Sequence, residues 1–164
     1  MGADFRISGP GATADEEWPA VVRDGTGDEY LIVWVDTRNS STRGSDIYGR
    51  RVSAAGTVVG GDFRISGTKA TSAEFDPAVA WNEDDSEFLV VWQDGRNFAT
   101  GDWDIFGRRV AADGTRPAGD IRVTSQAPYG QYTPDVAYDP GSGRYLNHSS
   151  EVMPAIFSSF SFCS

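Results

Sequence analysis

Apolar and polar positions change along this chain in short, regular runs. Four of them read as strands: "PAVVRD" from Pro19, "EYLIVWVD" from Glu29, "DIYGRRVSA" from Asp46 and "GDFRIS" from Gly61. They are rich in valine, isoleucine and aromatic residues, and clusters of Gly, Asp, Asn and Ser separate them. The run from Glu29 is almost continuously apolar, the mark of a strand buried on both faces. The run from Asp46 alternates, with Ile47, Gly49 and Arg51 on one side and Tyr48, Arg50 and Val52 on the other. No apolar run follows helical spacing.

The pattern then repeats. Trp34 and Trp92, Asp36 and Asp94, Arg38 and Arg96, Asp46 and Asp104, and Arg51 and Arg109 are each 58 residues apart. "DFRISG" occurs at Asp4 and again at Asp62, with a weaker copy, "DIRVTS", at Asp120. The segment from Pro19 returns from Pro77 and, with one residue deleted, from Pro134. A fixed period of four antiparallel strands predicts an all-β chain built of β-propeller blades. A β-sandwich or an open solenoid also uses short strands at regular spacing, but the strict repeat unit favours the propeller.

The pattern "VVWQDGR…DIFGRRV…DFRIS…DPAVAW" resembles the repeats of bacterial extracellular β-propeller proteins, over about residues 4–146. The resemblance implies a blade scaffold and a secreted, cell-surface or extracellular parent, not one particular activity. It divides the chain into a closing outer strand and inter-blade loop (1–17), blade 1 (18–66), blade 2 (67–125), a partial blade 3 (126–146) and a tail (147–164). The tail holds the only histidine, His148, and the only cysteine, Cys163, with six serines and three phenylalanines. Such a change of composition reads as a shifted reading frame or vector-encoded residues. Its "AIFSSFSF" is nevertheless able to supply a third strand. Two blades and a composite one make three blade equivalents, whereas closed propellers have roughly 4–8 blades. Unpaired strand edges attract partners, so the expectation is a homodimer closing a six-bladed ring; the alternative is an open fragment.

With 24 acidic against 14 basic residues the net charge is −10, which argues against nucleic acid or an anionic membrane as partner. No apolar run reaches the roughly 20 residues of a membrane span. The repeat begins at residue 4, leaving no room for a secretory leader. A lone cysteine gives no intrachain disulfide framework.

The long loops all fall at one end of the predicted blades, where binding residues concentrate. They carry Trp18, Phe75, Phe98, Trp103, Tyr129 and Tyr132, near Arg38, Arg96, Asn39, Asn97, Glu17, Glu74 and Asp76. Aromatic faces pack on the C–H faces of sugars while carboxylates, amides and guanidinium groups bond to hydroxyls, so the mixture resembles that of propeller lectins and points to glycans as partners. The same rings would also fill gaps between blades. Trp34, Asp36, Asp46 and Arg51, with Trp92, Asp94, Asp104 and Arg109, mark each blade at one position. That recurrence reads as a structural lock, in which Asp36 or Asp46 pairs with Arg38 or Arg51. "GDWDIFG" and "NEDDSE" offer oxygen ligands for Ca²⁺ without a calcium-loop spacing; no other cofactor is implied. An alternative to a binding module is a glycoside hydrolase using Glu17 and Asp76; a third reading is a structural fragment without ligand. No Ser-His-Asp set, Cys/His metal cluster or phosphate-cradling glycine loop is present in the sequence.

Overall fold

The computed structural model describes residues 4–68, 71–98, 102–124, 129–151 and 157–163, with backbone alone for 151 and 157–163. The expected boundary between blade 2 and blade 3 at 125–126 lies outside the described residues, as does Gly101 at the start of the first candidate calcium segment.

Three antiparallel sheets form. The first orders its strands β1 (Glu16–Arg23), β2 (Glu29–Asp36), β3 (Asp46–Ser53) and β4 (Val58–Arg64) side by side. The second repeats this with β5 (Glu74–Asn82), β6 (Glu87–Asp94), β7 (Asp104–Ala111) and β8 (Ile121–Arg122). The third runs β9 (Gln131–Asp139), β10 (Arg144–Glu151), β11 (Phe157–Cys163). The tail therefore extends β10 past Leu146 and adds the third strand, with Tyr145 opposite Cys163 and Glu151 opposite Phe157. A single helical turn, α1 (Ser40–Arg43), lies between β2 and β3.

The first strands of the sheets, β1, β5 and β9, lie next to one another, and the sheets pack face to face around them. β2 and β6 are buried along almost their whole length, as their continuous apolar sequence requires. Leu31, Val33, Val35 and Ile47 of the first sheet interlock with Phe88, Val90, Trp92, Phe106 and Val110 of the second. On the second sheet's other face, Leu89, Val91 and Ile105 meet Val136 and Tyr145 of the third. Gly49 makes close packing possible in β3, because a Cβ there would come 2.7 Å from Ile65 Cδ1.

The fourth strands depart from expectation. β4 starts at Val58, four residues before the repeated sextet, and ends at Arg64; Ile65 then turns into the core, 0% exposed. The first copy of that sextet, expected as a closing outer strand, forms no strand over residues 4–8. It nevertheless takes a repeated position: Arg50 Nη1 donates to the Ile7 carbonyl at 2.7 Å, as Arg108 Nη1 donates to that of Ile65 at 2.9 Å. Ile7 packs on the outer face of the first sheet, made of Ile32, Trp34, Tyr48 and Val52. A groove of about 250 Å³ remains there, lined by Phe5, Ile7, Glu17, Pro19, Ile32 and Trp34 among others.

Candidate functional site

Two constructions meet at the end where β1, β5 and β9 begin. The first holds the Trp-x-Asp-x-Arg repeats. Trp34 Nε1 donates to Asp36 Oδ2 at 3.2 Å, and Trp92 Nε1 to Asp94 Oδ2 at 2.9 Å. Arg38 Nη2 bridges Asp36 (2.6 Å) and Asp62 (2.7 Å); Arg96 Nη2 bridges Asp94 (2.6 Å) and Asp120 (2.8 Å). Each guanidinium also lies over a ring, Tyr48 at 4.0 Å or Phe106 at 3.9 Å. Burial works to raise the Asp36 carboxyl, but the Arg38 side chain and backbone and the Trp34 indole hold it below the usual range. The same balance between burial and Arg38 lowers Asp62. These bonds engage Arg38 and Arg96 inside the fold, so neither stands open as the ligand contact the sequence suggested. Arg51 pairs with Glu29 at 2.7 Å and Arg109 with Glu87 at 3.3 Å, not with an aspartate of the motif. Asp46 is bound instead by Arg64 at 2.8 Å and by Asn39 at 2.9 Å; Asp104 is bound by Arg122 and, at 2.7 Å, by Asn97. Asp62 and Asp120 escaped the sequence reading, although they open the repeated sextets at the same 58-residue spacing.

The second construction is a run of aromatic rings across two sheets. Trp18 meets Phe75 edge to face with centroids 5.4 Å apart, Phe75 meets Trp103 at 5.6 Å, and Trp103 meets Phe98 at 5.7 Å. Trp18 and Phe98 at its ends are 48% and 61% exposed. Trp103 can lie down because Gly95 is beneath it: a Cβ there would come 2.8 Å from the indole. Next to Trp103, Asp102 accepts a hydrogen bond from the Tyr132 hydroxyl at 3.2 Å, and burial together with Asp102 raises the Tyr132 pKa. The structure thus joins four of the six predicted aromatics by ring contacts and ties Tyr132 to them through Asp102; Tyr129 is exposed and makes no ring contact among the described residues. Asp102 entered the sequence analysis only within the candidate calcium segment, not as a neighbour of the aromatic rings.

Local backbone strain coincides with this array. Trp18, Asp76 and Thr133 occupy equivalent places in β1, β5 and β9, each just before a proline, and have φ of 49°, 49° and 46°. The left-handed region is disfavoured for residues with a Cβ by about 1–2 kcal/mol, and a following proline restricts the residue further. The register breaks at each, between Glu17 and Ala20, between Phe75 and Ala78, and opposite Thr133 between His148 and Ser150. Trp18, Phe75 and Tyr132 therefore project from bulged strand ends, not from loops. Burial raises the Asp76 carboxyl above its ordinary value. Glu17, expected to converge with Asp76, lines the groove beside Trp34 on the first sheet's outer face. In the candidate calcium segment from Asn82, that residue caps the turn by accepting from the backbone N–H groups of Asp84 and Asp85, and donates to the Asp85 side chain.

Neither a protein-family model nor a curated protein sequence matches the chain. Solved structures do. A Hadza microbial sialidase superposes with a TM-score of 0.66 at 14% identity, over 92% of this chain and 35% of its own. The endo-arabinase of Bacteroides thetaiotaomicron gives 0.62 at 14% identity, over 98% of this chain and 58% of its own. The α-L-arabinanase of Penicillium chrysogenum, solved with arabinobiose, gives 0.60 at 12%, over 97% and 48%. The chain thus spans between about a third and three fifths of these structures. At such identities the likeness is one of fold, and it sets the three sheets among the β-propellers.

Proposed function

We propose that the protein is a non-catalytic propeller module that binds carbohydrate at the end bearing Trp18, Phe75, Trp103 and Phe98. The carrying observation is the aromatic array itself, continuous across two blades and exposed at both ends. Rings of this kind offer large rigid apolar area to a sugar face. The structural neighbours, a sialidase and two arabinan-degrading enzymes, agree with a carbohydrate ligand. A hydrolase requires a second carboxylate about 5–9.5 Å from the first; Glu17, the residue expected beside Asp76, faces the groove next to Trp34 instead. The test is binding of a panel of oligosaccharides followed by tryptophan fluorescence. Trp18→Ala should weaken binding about tenfold, since a lost stacking contact is worth about 1–1.5 kcal/mol, and should leave the melting temperature unchanged. Silence across the panel, or affinity indifferent to Trp18, refutes the reading.

The finer architecture we infer is a six-bladed ring of two chains, in the extracellular setting that the repeats suggest. Its support is the outer face of the first sheet. Ile32, Trp34, Tyr48 and Val52 are the repeat counterparts of Val90, Trp92, Phe106 and Val110, which the first sheet covers in the second. A mass in solution near twice 17.7 kDa is expected; a monomer by light scattering rules the ring out.

A further inference from the structure

The charge at the aromatic end limits what can bind there. Arg38 and Arg96 are each held by two carboxylates within 2.8 Å, and Arg108 shares Asp120 with Arg96 at 3.5 Å, so none of the three stands open to a ligand. Arg64 and Arg122 are likewise opposed by Asp46 and Asp104. Arg43 on α1 has no carboxylate partner among the described residues and donates to the Thr68 carbonyl at 3.4 Å; Lys69 lies outside the described residues. A ligand carboxylate needs an open guanidinium or ammonium group to replace its water, and the repeated arginines do not provide one.

Asp76 supplies the complementary feature. It follows Phe75 directly, in the left-handed bulge, and among the described residues its carboxylate makes no hydrogen bond or ion pair. The backbone conformation is the same at Trp18 and Thr133, so the fold sets the conformation and leaves the side chain free to vary. Strained backbone positions cluster at active sites and ligand clamps, and here Trp18 packs on Phe75 and the Thr133 hydroxyl meets that of Ser150, while Asp76 has no partner among the described residues. A half-buried carboxylate without a partner is short of donors, and burial raises its pKa accordingly. Sugar hydroxyls are donors of the right kind.

We propose that Asp76 is the specificity-determining acceptor of this site, receiving hydroxyl donors from an uncharged sugar packed on the neighbouring rings, and that carboxylated sugars are rejected. The proposal rests on the carbohydrate reading above. Its test titrates the full chain, as wild type, Asp76→Asn and Trp18→Ala, with arabinotriose, lactose, 3′-sialyllactose and trigalacturonate. The uncharged sugars should bind, the carboxylated ones at least about tenfold more weakly, and Asp76→Asn should lose about tenfold on the uncharged sugars with an unaltered melting temperature. Equal binding of the carboxylated sugars, or no effect of Asp76→Asn, overturns the proposal while Trp18-dependent binding leaves the carbohydrate reading in place. Absence of binding by all four sugars overturns both.

Discussion

Glu74→Gln is the most informative single substitution in the scaffold. Glu74 is fully buried at the junction of the first two sheets. Its Oε2 accepts from the Ile47 N–H at 3.0 Å, while Oε1 has no hydrogen-bond partner among the described residues. Ser45 fixes the backbone on both sides, donating from Oγ to the Glu74 carbonyl at 2.8 Å and accepting from the Glu74 N–H at 3.1 Å. Burial pushes the carboxyl well above its ordinary value near 4.5, the Asp94 and Asp46 charges push the same way, and the Ser66 hydroxyl and Ile47 N–H only partly oppose them. The folded protein therefore keeps a proton that the unfolded chain releases. Stability from this group is complete below the unfolded value and declines as pH rises above it, until the raised folded value is passed. For one proton the slope reaches about 1.4 kcal/mol per pH unit. Glutamine has the same shape, retains the acceptor for Ile47 and cannot ionise. The chain already uses it: Gln131 stands at the equivalent place in the third sheet, 2% exposed, its N–H donating to the Trp103 carbonyl at 2.7 Å. Removing the cost of keeping that carboxyl buried and incompletely bonded should stabilise the protein at pH 7 by about 1–3 kcal/mol, or about 2–4 °C per kcal/mol. Urea denaturation of both proteins between pH 4 and pH 9, about the range over which the linkage acts, gives the difference directly. It should be small at the acid end and grow with pH. A variant less stable at neutral pH, or a difference independent of pH, would refute the reasoning.

Two further outcomes follow from the scaffold. Arg96→Ala should cost about 3–5 kcal/mol, because Asp94 is left buried without its cation and Asp120 keeps only the longer pair with Arg108 at 3.5 Å; a urea-midpoint change worth under about 1 kcal/mol would show that the cluster is not structural. Ser86→Gly should raise the melting temperature slightly, since Ser86 is exposed at φ 53° and relief of about 1 kcal/mol exceeds the chain entropy that glycine adds; a lower melting temperature contradicts this.

Much of the scaffold is legible in the residues themselves. "EYLIVWVD" and its copy predict β2 and β6 because a run apolar on both faces has few other solutions. The 58-residue spacing marks Trp34, Asp36 and Arg38 as a repeated unit, and indole, carboxylate and guanidinium at alternate positions can bond only within reach of one another. The pairing of Arg51 was not legible, since Glu29 reaches it through the register of β2 with β3. The same holds for the site. Aromatic residues near the blade ends were evident, but their assembly into one array depends on contacts between sheets and on a glycine beneath Trp103.

The sextet "DFRISG" draws the line between the two kinds of information. At Asp62 its first residues complete β4, because β3 lies alongside to accept and donate the ladder hydrogen bonds. At Asp4 the same residues form no strand, because no third strand of their own blade is beside them, although Ile7 still finds the apolar face of the next. The sequence by itself determined the period, the apolar faces and the chemistry each blade carries. Strand or coil for the sextet, and open or clamped for each arginine, were decided only when a second segment supplied the other half of the bond.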